Sequence, residues 1–234
     1  PAGGRPPDAR WLLADRAGRA VARCALWWSA TPPHESHRLG LVGSYAASDR
    51  EAAARLLRLA CEQLAEHGCT LAVGPMDGSS WQRYRLVTGR GTEPPFFLEP
   101  DNPDAWPAHF TDNGFAPLAR YYSALNTDLA QVDPRLPDVA GRMAARGVSV
   151  RPLRPDRFQE ELRALAVLSL ESFRHSFLYT PADPDDIVAQ YEGIRPHVRP
   201  ELVLIAEQGG LPVGYVFAVP DLLQARRGVP IDTT

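Results

Sequence analysis

RLGLVGSYAASDREAAARLLRLACEQLAEHGCTLAVG, residues 38–74, decides the fold. Residues 38–46 are an apolar run of strand length. Ser48-x-x-Glu51 has the form of a capping box, in which side chains satisfy the free N–H groups of a first helical turn. Ala53, Leu56, Leu57, Ala60, Cys61 and Leu64 then recur at i, i+3, i+4, i+7 spacing, which puts one apolar stripe along a helix. Gly68 supplies the left-handed residue that ends it. Residues 69–74 (CTLAVG) return as a short apolar strand. A crossover long enough for a helix predicts that the two strands are parallel and adjacent.

Upstream, residues 12–21 read as a strand, a Gly18-containing turn and the start of a second strand. Residues 204–213 repeat that pattern without a gap, with apolar, acidic, glycine and valine positions coinciding. Downstream of residue 74, residues 75–107 carry Trp81, Tyr84, Phe96, Phe97 and Trp106 among many Pro and Gly. Such a loop is too aromatic for disorder. Residues 109–113 read as a short helix end broken by Gly114, and residues 115–125 (FAPLARYYSAL) as a returning strand.

Residues 128–147 are Pro- and Arg-rich and read as a linker with one helical turn. After it come a strand at 148–153, an amphipathic helix over 156–177, a second helix over 183–194 and the hairpin at 204–213. The Asp183-Pro184-Asp185-Asp186 cluster is a helix start, not a cation site.

The chain of 234 residues is 44% hydrophobic, enough for one large or two modest cores. A net charge of −3 gives no general attraction to nucleic acid or to an anionic membrane. No apolar run has the length of a membrane helix, and the polar start, residues 1–10, carries no signal peptide, so a cytoplasmic protein is expected. All 25 basic residues are Arg, so no lysine is present for a Schiff base. Cys24, Cys61 and Cys69 lack the spacing of a disulfide framework or a zinc site and read as inert thiols. The six histidines show no metal-site spacing, and no metal is expected.

Several segments carry a resemblance. They are Gly74-Pro75-Met76-Asp77-Gly78 with Trp81-Gln82-Arg83-Tyr84-Arg85, Pro94-Pro95-Phe96-Phe97-Leu98-Glu99-Pro100, Asn113-Gly114-Phe115 and Phe177-Leu178-Tyr179-Thr180-Pro181. With the element order, they resemble the GNAT acetyltransferase superfamily. The resemblance implies an α/β (mixed α+β) fold, a mixed sheet flanked by helices, in two tandem units. Residues 1–127 would be a unit lacking its first strand and helices, 128–147 the linker, and 148–234 the N-terminal half of a second, incomplete unit. That half should dock on the first unit, pair with a second copy as a homodimer, or be completed by further residues.

The activity the resemblance implies is acyl transfer from acetyl-CoA to a small-molecule or peptide amine by direct attack. The cofactor would lie between the two splayed strands of residues 38–74, with Val42, Gly43 and Ser44 as candidate contacts. A helix N-terminus with a glycine loop suits the pyrophosphate, but residues 44–51 lack that loop and carry Asp49 and Glu51. The first unit therefore reads as degenerate in CoA binding, with the active site expected in the second. Where the family places its proton donor this chain has Phe110, which leaves Tyr121 and Tyr122 as catalytic candidates. Trp81, Arg83, Tyr84, Arg85, Phe97 and Glu99 are candidates for a substrate-pocket wall, since Arg among aromatics grips carboxylates and stacks on rings. The alternative is a non-catalytic binding module holding a small ligand or partner peptide at Trp81, Arg85, Phe97 and Tyr122.

Overall fold

The computed structural model describes residues 5–231 apart from 98, 127 and 129. Leu98 and the boundary residues Thr127 and Thr234 fall outside the described residues. The described residues build two sheets and six α-helices, a mixed α/β fold. In the first sheet β1 (Ala9–Ala14) and β2 (Ala20–Trp27) form an antiparallel hairpin. Asp15 closes its turn by accepting from the amides of Ala17 and Arg19. The third strand, β3 (Leu39–Ala47), is antiparallel to β2, and β4 (Leu71–Val73) is parallel to β3 with Leu39 opposite Leu71 and Leu41 opposite Val73. The expected parallel pair is present, crossed by α1 (Arg50–Glu66).

One face of this sheet presents Leu13, Cys24, Leu26, Val42 and Tyr45 to Leu56, Leu57, Ala60 and Leu64 of α1. Alternation along each strand is what separates these from the opposite face. The helix cap differs from the expected Ser48. Asp49 occupies the cap, its Oδ1 accepting from the Ala52 amide at 2.9 Å, while Ser48 Oγ donates to Asp49 Oδ2 at 2.7 Å. A carboxylate at the positive end of the helix outcompetes a neighbouring hydroxyl.

Two further corrections concern the middle of the chain. Residues 115–125 do not form the expected strand: they run without regular pairing, with Leu118, Tyr121, Tyr122 and Leu125 exposed. Pro117 removes an amide that a ladder would need. Before this stretch α2 (Trp106–Thr111) packs Phe110 into the α1 core. Residues 128–147 hold more than one turn, because α3 (Leu136–Ala145) runs for 10 residues with Pro in its first turn, yet buries none of them.

The second sheet is antiparallel, ordered β5 (Val148–Pro152), β6 (Val203–Gln208), β7 (Leu211–Phe217). Between β5 and β6 lie α4 (Phe158–Phe173) and α5 (Pro184–Glu192). The first of these is shorter than the predicted 156–177, and Asp183 caps the second. Leu153, Phe158, Leu162, Leu165, Val203 and Ile205 make this core. At its edge the buried Glu161 carboxylate accepts from Arg151 Nη1 at 2.9 Å and from Arg154 Nε at 2.7 Å. Burial alone would raise the Glu161 pKa, but these hydrogen bonds outweigh it and hold the group below its ordinary value.

The two sheets are linked through the segment after α4. Leu178 enters the far face of the first sheet, clustering with Ala25, Trp27, Leu39, Leu41 and Met76. Its φ of 52° lies in the left-handed region, which costs a branched residue about 1–2 kcal/mol. Burying a leucine returns about 1.5–3 kcal/mol, so the seat outweighs the strain. Nearby, Trp81 Nε1 donates to the Thr180 carbonyl at 2.8 Å, and the Phe97 amide donates to Asp221 Oδ1 at 3.2 Å.

The burial pattern sets an order of sensitivity. Leu57→Ala, at a site 1% exposed, should lower stability by about 2–5 kcal/mol in urea unfolding. Leu136→Ala, on the exposed face of α3, should change it by less than about 0.5 kcal/mol. Equal losses at the two sites would contradict this packing.

Candidate functional site

The expected cofactor position is where β3 passes into α1. There Ala25 faces Gly43 but Arg23 faces Ala46, so β3 carries one extra residue, a β-bulge, with Ser44 at φ 48°. A side chain at Gly43 would collide with the Met76 carbonyl and the Asp77 carboxylate, so only glycine fits this approach. The turn also aims the Ser44 amide away from the sheet, where it donates to Asp77 Oδ1. Val42 gives its carbonyl to the Met76 amide at 2.9 Å.

These groups do not fit the pyrophosphate of acetyl-CoA. The Ala52 amide already has Asp49, the Ser44 amide already has Asp77, and Glu51 adds a third carboxylate to the same end of α1. Hydrogen bonds, first from the Ala52 amide and then from Ser48, hold the Asp49 carboxyl below the usual carboxylate range, so it stays charged. A helix N-terminus contributes only about 0.3–1 kcal/mol toward an anion, too little to draw phosphates past fixed negative charge.

Behind the bulge, Tyr45 packs between Trp106 and Phe110, and its hydroxyl shares a hydrogen bond of 2.9 Å with His109 Nδ1. Both residues are buried. Burial pushes the Tyr45 hydroxyl up and the His109 imidazole down, favouring the neutral form of each. Cys24, in the same core, is pushed up to about 12 by burial, the behaviour of an inert thiol.

The loop candidates separate into two places. Arg85 is the centre of one: its guanidinium lies 5.0 Å from the Tyr84 ring and 5.5 Å from the Tyr121 ring, with Nη1 donating to the Tyr84 hydroxyl at 2.6 Å and Nη2 to Glu99 at 3.3 Å. Tyr121 thereby joins Tyr84, Arg85 and Glu99 rather than facing the β3–α1 turn. Trp81 lies elsewhere, against Phe173 and Tyr179 from the other half of the chain. Phe97 is tied to Asp221, Arg83 is exposed with its carbonyl holding the Asp77 amide, and Tyr122 is 89% exposed. The pocket of Trp81, Arg85, Phe97 and Tyr122 expected for a binding module is not assembled as one wall.

A different concavity is present. On the face of the first sheet opposite α1, a cavity of about 460 Å³ is lined by Arg5, Arg10, Arg23, Trp27, Asp77 and Gln82, among others. Alternation puts Arg10 on the opposite face to Trp11 and Leu13, and Arg23 opposite Ala22 and Cys24. Gly78, at φ 81°, lets the loop after β4 lie against the Trp27 indole, where any Cβ would come within 2.8 Å of Nε1. Reading Arg10 and Arg23 as neighbours requires the hairpin register, and the first turn of residues 12–21 contained that signal.

Among the described residues no three His, Cys, Asp or Glu gather where they could hold a metal ion. Among those residues no helix is long and apolar enough to cross a membrane. No protein-family model matches the chain, and a search of curated proteins returns no match.

The Tyr45–His109 pair predicts a pH dependence. Burial lowers the His109 pKa below its ordinary 6.5, so on acidification the unfolded chain takes up the proton first. Its contribution to stability is complete above pH 6.5 and is lost as pH falls through the folded-state value. The urea midpoint should therefore drop between about pH 7.5 and about pH 5.5, and His109→Gln should flatten that drop. A wild-type slope retained in His109→Gln would assign the effect elsewhere.

Proposed function

We propose that the first half of the chain is a non-catalytic ligand-binding unit built on a GNAT-like strand–helix–strand core. The observation that carries this reading is the occupation of the amides at the β3–α1 turn by Asp49 and Asp77. An acyltransferase needs those amides for its cofactor; here the protein's own carboxylates hold them. The arginine-lined cavity on the opposite face gives such a unit somewhere to hold a ligand.

A second reading is acyl transfer in the other half. It rests on the element order there, β5, α4, α5, β6, β7, which is the order expected for the opening of a GNAT unit. On this reading the protein is an N-acetyltransferase moving acetyl from acetyl-CoA to a small-molecule or peptide amine, with the first half as its accessory.

Calorimetric titration of the full chain with acetyl-CoA tests both readings. Asn caps helices as well as Asp does, so Asp49→Asn removes the charge while keeping the cap. Under the binding-unit reading, Asp49→Asn leaves acetyl-CoA affinity unchanged from wild type. A several-fold gain would place the cofactor at α1 and overturn it. No acetyl-CoA binding by the full chain at all would overturn the second reading alone.

A further inference from the structure

The cavity on the far face of the first sheet is walled by parts of the protein that are fixed. Its floor is Ala25 and Trp27, 3% and 6% exposed. The Trp27 indole donates to the Arg5 carbonyl at 3.0 Å, which ties the entering chain, with Pro6 and Pro7, to one side. The Asp77–Gly78 turn closes the other, held by the Ser44 amide and the contact with Trp27. Ligand sites usually enclose about 300–1,000 Å³, and about 460 Å³ falls within that range.

The charges lining it have a definite pattern. Arg10 pairs with Ala25 and Leu12 with Arg23, so Arg10 and Arg23 are diagonal neighbours on one face, within reach of a shared ligand. Among the described residues neither they nor Arg5 has a carboxylate within 4.0 Å. Arg85, Arg90, Arg151 and Arg154 each have at least one. Asp77 has one oxygen engaged by Ser44, and among the described residues no donor meets the other. Three guanidinium groups against one carboxylate make a positive recess in a chain whose net charge is −3.

We propose that this cavity binds a small amphipathic anion: a phosphate or carboxylate head between Arg10 and Arg23, and an apolar body against Leu12, which lines the cavity on the same face. A hydroxyl or amine of the ligand meets the open oxygen of Asp77. Paired guanidinium groups match the oxygens of such a head in geometry as well as charge. The exposed Leu12 side chain supplies apolar area that a hydrated inorganic ion would not use. This assignment deepens the binding-unit reading and rests on it.

The test is calorimetry on the full chain with phenyl phosphate, inorganic phosphate and benzyl alcohol as probes. Phenyl phosphate should bind saturably, more tightly than inorganic phosphate, and benzyl alcohol should not bind measurably. The double variant Arg10→Gln/Arg23→Gln should weaken phenyl phosphate by about tenfold or more. Both positions are exposed, and an unchanged urea midpoint verifies that the fold is kept. Arg58→Gln, an exposed arginine on α1, should leave the affinity at the wild-type value. Absence of saturable phenyl phosphate binding, or equal affinity in wild type and the double variant, overturns the inference. Either result leaves the binding-unit reading in place, because that reading fails only on a gain of acetyl-CoA affinity in Asp49→Asn.

Discussion

The first half of β3 has to be covered on both faces, and much of the fold follows from that constraint. Leu39, Gly40, Leu41, Val42 and Gly43 are all buried. A strand paired in parallel on one side and antiparallel on the other, apolar throughout, leaves water no access. On one face α1 supplies the cover, with Leu64 closing over Gly40. On the other face the cover comes from Met76 of the loop after β4 and Leu178 from the far half of the chain. The two sheets are thereby joined by an apolar seat, and the left-handed backbone of Leu178 shows that the seat dominates over local preference. The cover stops short of Arg10 and Arg23, and the arginine-lined cavity occupies what remains.

Electrostatics divides the same sheet into a closed end and an open one. At the α1 end, donors that a phosphate ligand would use are already bonded to Asp49 and Asp77. Across the sheet, Arg5, Arg10 and Arg23 face the cavity without ion pairs among the described residues. Asp77 belongs to both places: it closes the bulge of β3 through the Ser44 amide and contributes an acidic group to the cavity lining. A change at Asp77 therefore alters the backbone at the bulge and the cavity together, whereas Arg10 and Arg23 report on the cavity alone.

Elements with a clean period were legible in the sequence. The strand–helix–strand unit, both hairpins and the two helices before β6 follow from apolar spacing, and the Asp183 cap from its type and position. Ser48 and Asp49 are adjacent acceptors, and a motif match cannot tell which one the backbone turns toward the free amides. Residues 115–125 have strand-like composition, but pairing needs a free partner edge in register, which composition does not encode. The α3 segment forms a helix without a buried face, so apolar periodicity gave no signal for it. Arginine among aromatics suggests one wall for the loop after β4, yet Trp81 and Arg85 are drawn to different partners. Arg10 and Arg23 are far apart in sequence and become neighbours only through the β1–β2 register.

The central structural claim is that Leu178 and β3 share one core across the two halves. A double-mutant cycle on Leu41→Ala and Leu178→Ala, read by urea unfolding of the full chain, measures it directly. Contact within one cluster predicts a coupling of about 0.5–3 kcal/mol between the two changes. Losses that add to within about 0.3–0.5 kcal/mol would show the residues to be independent and would contradict a shared core.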